Sequence, residues 1–166
     1  MTLQEYIEQT ILPQYDAFDG GHKRDHAEAV IRESLQLARA HNADEQMAYV
    51  IAAYHDLGLR FDREKHHIYS GEILMADSTL RQWFTEEQLL VMRDAVEDHR
   101  ASGKNPPRTI YGAIVAEADR QIIPETVTCA SGSTPSAMSV PSNPSAIIRN
   151  ESLLRSLCEE WYKANR

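Results

Sequence analysis

The chain has 166 residues, 25 acidic and 17 basic, for a formal charge of −8 at pH 7. That length suits one domain with a substantial core rather than two, and the acidic balance excludes broad nucleic-acid binding, which needs a basic face against the phosphates. No apolar run approaches the ~18–20 residues that span a bilayer. The stretch from Met1 to Tyr6 lacks the basic and apolar regions of a signal peptide, and two cysteines, Cys129 and Cys158, are too few for a disulfide framework. The expectation is a soluble, cytoplasmic protein whose cysteines are incidental.

Leu3, Tyr6, Ile7, Ile11 and Leu12 follow the spacing of an amphipathic helix, which Pro13 should disturb. Asp19, Gly20 and Gly21 form a turn. A second helix is expected from about His22 to His41, with His26, Val30, Ile31, Ser34, Leu37 and Ala38 near one face. Asn42 or Asp44 can cap a third, running through Met47, Val50, Ile51 and Tyr54 to His55 and Asp56. Gly58 should end it, as a glycine just past a helix does. A fourth helix is expected over 65–77. Thr85 to Gln88 form a capping-box pattern that opens a fifth through Leu89, Met92, Val96 and His99. After a loop from Gly103 to Pro107, residues Ile110, Ile114, Val115, Ala118 and Ile122 mark a sixth. No alternation of strand type and no repeat competes with this pattern, so the fold class is all-α.

The chain then changes character. From Thr126 to Ile148 run 23 residues without a charge, the first 20 holding six serines, three threonines and three prolines. Such a segment buries too little apolar surface to offset its ordering entropy. The chain therefore divides into a helical domain over 1–125, an uncharged linker or disrupted segment over 126–146, and a C-terminal helix over 147–166.

His26, His55, Asp56, His67, His99 and Asp119 all fall within or near the apolar faces of expected helices. Imidazoles and carboxylates converging on a core are unfavourable unless they pair or coordinate a metal. Together they suit a borderline or hard divalent ion. His41 and His66 are read as ordinary hydrogen-bonded structural residues.

His26-Ala27-Glu28-Ala29-Val30, Tyr54-His55-Asp56-Leu57-Gly58 and Ala116-Glu117-Ala118-Asp119-Arg120 resemble the H…HD…D signature of the HD-domain superfamily of metal-dependent phosphohydrolases. The resemblance covers about residues 20–125. It implies a bundle of about six core helices whose first metal is held by His26, His55, Asp56 and Asp119. Asp77 and the acidic helix faces match nothing in the family and are expected to stay exposed. The helix that starts near His67 is similar to one that supplies a second-metal histidine in dinuclear branches such as HD-GYP, and His99 stands where those branches place another. The GYP residues are missing after His99, so cyclic-dinucleotide hydrolysis is not supported. One ion (Mn, Fe, Ni, Co, Zn or Mg) is favoured over two, with His67 and His99 facing the substrate phosphate as mononuclear members imply.

The implied activity is hydrolysis of a small phosphorylated metabolite, a nucleotide or other phosphate ester. Metal-activated water attacks phosphorus, and Asp56 orients that water or takes its proton. Arg100, Lys104 and Arg108 flank the loop after His99 and are candidates for phosphate contact. His22, one helical turn before His26, could line the mouth of the site, and Arg120 could pair with a neighbouring carboxylate. The alternatives are a di-iron oxygenase on the same fold and a non-catalytic regulatory or binding module. Assembly into a homo-oligomer is compatible with all three.

Overall fold

A computed structural model describes residues 1–18, 24–100 and 105–122. Those residues form six α-helices and no strand: α1 Leu3–Tyr6, α2 Arg24–Ala40, α3 Glu45–Tyr54, α4 His66–Ala76, α5 Glu86–Asp98 and α6 Ile110–Ile122. The all-α expectation holds. The expected Asp19 turn, His22, Lys104, the uncharged segment and the C-terminal helix lie outside the described residues. No helix among the described residues is long and apolar enough to cross a membrane.

Local chemistry sets the boundaries. Thr2 opens α1 with a capping box closed by Glu5. Pro13, which lacks an N–H, cannot continue an α-helical ladder; the chain widens into a π-turn over Ile7–Ile11 and tightens into a 3-10 stretch over Leu12–Ala17. Asp44 caps α3 through the backbone N–H groups of Gln46 and Met47. Asn42 instead terminates α2: its φ is 50°, and Asn42 N–H and Ala43 N–H donate to Arg39 and Ala38 carbonyls, the paired bonds of a Schellman ending. Thr85 and Gln88 form the expected capping box of α5.

The most buried helix is α3. From Met47 to Tyr54 only Tyr49 escapes full burial, as expected of a helix that is apolar all round. It packs against α2, α5 and α6, while α4 packs on α5 and on the 3-10 turn Leu57–Arg60. Gly58 corrects one expectation. It has no positive φ and is not a left-handed cap. Its role is close approach, because a Cβ there would lie 2.0 Å from the His66 carbonyl oxygen and 2.7 Å from Ser70 N. The Gly58 N–H donates to Ser70 Oγ at 2.8 Å, which fixes α4 against the turn that follows Asp56.

Asp77 corrects another. It is half-buried rather than exposed, and Oδ2 accepts both Tyr6 O–H and Tyr54 O–H at 2.6 Å. Its Oδ1 accepts the Thr79 N–H at 2.9 Å. The carboxylate thus ties the N-terminal segment, α3 and the end of α4 together.

Candidate metal centre

Five helix ends or end-turns converge. His26 comes from the first turn of α2, His55 and Asp56 from the end of α3, and His66 from the start of α4. His99 follows the end of α5, and Asp119 stands in the last turn of α6. His55 is fully buried, and Asp56 and His99 are only 4% and 2% exposed. Ionisable groups so deep need charged or hydrogen-bonded partners.

Asp56 is the hub. Its Oδ2 lies 3.3 Å from His55 Nε2 and 3.8 Å from His26 Nε2. Its Oδ1 lies 3.4 Å from His66 Nε2 and 3.6 Å from His99 Nε2. Asp119 Oδ1 closes the first side, 3.0 Å from His26 Nε2 and 3.9 Å from His55 Nε2. Two groups with ligand atoms mutually within 4.8 Å result, His26–His55–Asp56 and Asp56–His66–His99, sharing one carboxylate.

The far side of each ring is fixed by backbone. His55 Nδ1 is 2.6 Å from the Ala52 carbonyl, His99 Nδ1 is 2.5 Å from that of Val96, and His66 Nδ1 is 2.8 Å from that of Arg63. A carbonyl only accepts, so each Nδ1 carries the proton and, in the neutral ring, Nε2 offers a bare lone pair. Backbone anchoring of this kind orients metal-binding histidines. His66 Nε2 and His99 Nε2 face each other at 3.2 Å, and two lone pairs so placed repel unless a proton or a cation sits between them. The buried His55 Nε2 likewise makes no well-aligned hydrogen bond among the described residues. The donors therefore fit a divalent ion.

Local fields agree. Burial pushes His55 down, but the adjacent Asp56 carboxylate and Asp119 more than offset it and hold the imidazole up at about 9. His66 is lowered, first by burial and then by His99, with only part of this offset by the Arg63 carbonyl and Asp56. For Asp119 burial raises the pKa, but the His26 hydrogen bond and the fields of His55 and His99 outweigh it, so it is lowered.

The structure brings His26, His55, Asp56, His99 and Asp119 together. It places His66, not His67, against Asp56 and His99. The difference follows from helix phase, since one residue is about 100° of rotation. The stripe of His66 and Ser70 faces the turn after Asp56, as the Ser70 bond to Gly58 shows. The stripe of His67 and Gly71 lies toward α5, where a Cβ on Gly71 would meet Arg93 and Glu97 at 3.1 Å. His67 joins neither donor group, and its pKa is lowered by burial and then by His99 and Arg100. His66 is thus a member of the cluster rather than an isolated structural histidine.

Of the cations expected at the phosphate, Arg108 and Arg100 make contacts with protein groups, and Lys104 lies outside the described residues. Arg108 spans α5, with Nη1 3.1 Å from Asp94, Nη2 2.8 Å from Glu97 and Nε 3.1 Å from both Asp98 oxygens. These carboxylates raise its pKa further, and they leave the guanidinium as an anchor of the helix. Arg100 donates to the Glu64 carbonyl. Arg120 pairs with Glu117 at 2.7 Å. Sequence reasoning missed His66, whose one signal was the adjacent pair of histidines.

A family model described as HD domain matches residues 24–121. Comparison with curated proteins finds no match. Among solved structures, the chain is similar to a crystal structure of a predicted HD superfamily hydrolase from an uncultured Thermotogales bacterium. The TM-score is 0.58 and the identity 22%, over 72% of this chain and 73% of that one. At that identity the likeness is one of fold.

Proposed function

Because the chain belongs to the HD-domain family, we propose that it is a metal-dependent hydrolase of a small phosphorylated metabolite, a nucleotide or another phosphate ester. The observation that carries this reading is the hub of Asp56, with histidine Nε2 atoms gathered on both of its sides within ligand distance of one another. His26, His55, Asp56 and Asp119 would hold the first ion. A divalent ion there supplies hydroxide at neutral pH and positive charge for phosphoryl oxygens. Asp56 orients the attacking water or takes its proton. His66 and His99 stand on the opposite side of Asp56, where they face the phosphate or hold a second ion. The second donor group favours one further reading, a dinuclear centre and, with two irons, oxygen chemistry on the same frame.

The deciding experiment is metal content per chain by elemental analysis for the wild type, Asp56→Ala and His66→Ala, followed by phosphate release from a nucleotide panel. One ion in the wild type, retained in His66→Ala and lost in Asp56→Ala, together with phosphate release, supports the hydrolase. Two irons with no phosphate release support the oxygenase. Substoichiometric metal in the wild type, even after loading with Mn, Ni or Fe, refutes both and leaves a regulatory module.

A further inference from the structure

The end of α3 presents its two site residues across a helix terminus, where carbonyl groups have no partner in the helix. Ala52's carbonyl takes the His55 Nδ1–H. Ala53's carbonyl takes a hydroxyl from elsewhere, Tyr15 O–H at 2.9 Å. The same Tyr15 oxygen accepts the Asp56 N–H at 3.3 Å. One phenol thus bridges the last turn of the helix and the backbone of the hub residue, which has already left helical geometry at φ −109° and ψ 3°.

The ring adds a second constraint. Tyr15 is fully buried, its ring stacks beside the His55 imidazole with centroids 6.5 Å apart and planes inclined by 29°, and it is itself braced edge-on by Phe18 at 5.3 Å. It comes from the 3-10 stretch Leu12–Ala17, ahead of the residues 24–121 that match the family model. The N-terminal segment therefore does more than cover apolar surface.

We propose that Tyr15 is a positioning residue for the metal centre. Its hydroxyl holds the Ala53–Asp56 backbone, and its ring the His55 imidazole, in the orientation that lets both residues act as ligands. The inference rests on the metal-centre reading above. Tyr54 provides the control. It is equally buried and adjoins His55, but its hydroxyl goes to Asp77, away from the site backbone.

The test compares wild type, Tyr15→Phe and Tyr54→Phe in the full chain. Partners that orient ligands typically change metal affinity about 10–100-fold. The Mn²⁺ dissociation constant, by equilibrium dialysis, is expected to rise by about that factor in Tyr15→Phe and to stay within about twofold in Tyr54→Phe. The visible spectrum of the Co²⁺-loaded protein should change only in Tyr15→Phe. In metal-free protein, exchange of the Asp56 amide should accelerate at least about tenfold in Tyr15→Phe and not in Tyr54→Phe, because its acceptor is gone. Unchanged affinity and exchange in Tyr15→Phe, or equal losses in both variants, overturn the proposal. A wild type that binds no Mn²⁺ or Co²⁺ refutes the metal-centre reading instead, and amide exchange still decides whether Tyr15 holds the Asp56 backbone.

Discussion

Replacing Asp77 by alanine tests the reasoning about how the frame is held. Its Oδ2 accepts two tyrosine hydroxyls at 2.6 Å, and Oδ1 accepts the Thr79 N–H at 2.9 Å. A hydrogen bond to a charged group contributes roughly 1.5–3 kcal/mol, and a cap about 1 kcal/mol. A bare sum would reach about 4–7 kcal/mol. The carboxylate is half-buried, so water can take part of the vacated place, and bonds sharing one group do not add. The expected loss is about 3 kcal/mol, a large share of the ~5–15 kcal/mol available to a domain. Urea unfolding followed by circular dichroism measures it.

The pH dependence sharpens that test. Burial raises the Asp77 pKa, but the hydrogen bonds from Tyr54, Tyr6 and Thr79 outweigh it, so the folded value lies below that of the unfolded chain. A depressed acid stabilises the fold above its unfolded pKa and loses that contribution as pH falls through the folded one. The gap between wild type and Asp77→Ala should stay constant from pH 7 to about pH 5 and narrow below about pH 4. On the alkaline side, Tyr54 is raised by burial and by Asp77. Unfolded tyrosine ionises near 10 while the folded one does not, so stability should also decline above about pH 10. A loss under about 1 kcal/mol at pH 7, or a gap undiminished at pH 3, would refute the charged-acceptor account.

Two further substitutions probe packing. Gly58→Ala sets a Cβ 2.0 Å from the His66 carbonyl oxygen, where backbone rather than a flexible side chain must yield. A loss of about 3 kcal/mol and a fall in Tm of roughly 10 °C are expected by calorimetry, and an unchanged Tm would contradict the close approach. Ser34 is fully buried, and its Oγ makes no hydrogen bond among the described residues. Ser34→Ala should leave stability unchanged or raise it by about 1 kcal/mol, and a clear drop in Tm would show that the hydroxyl has a partner.

Much of the frame was legible because burial forces periodicity. The capping box at Thr85, the span of α6 and the buried faces of α2 and α3 all follow from local rules. His26, His55, Asp56, His99 and Asp119 could be singled out because an ionisable group on an apolar face has to be explained. The illegible parts depend on how elements meet. His66 and His67 occupy neighbouring stripes of α4, and only the contact between Gly58 and α4 decides which faces Asp56. Arg108 reads as a loop cation until three carboxylates of α5 are seen around it. Tyr15 sits in a segment that Pro13 makes irregular, where no periodic argument reaches.

The placement of the donors at helix ends has a physical basis. His55 and His99 are the C-terminal caps of α3 and α5. Each imidazole satisfies a carbonyl that the helix leaves open, and the same bond fixes the tautomer that turns Nε2 toward Asp56. The partial negative charge at a helix C-terminus also favours a nearby cation. Closing the helix and aiming the ligand are therefore one interaction, which ties the geometry of these two histidines to the local fold. His66 differs because it opens α4 and bonds to Arg63 in the preceding turn. Its aim is set by the packing of Gly58 and Ser70, a tertiary contact. Movement of α4 would then disturb the His66 side of Asp56 first and leave the His26 and His55 side in place.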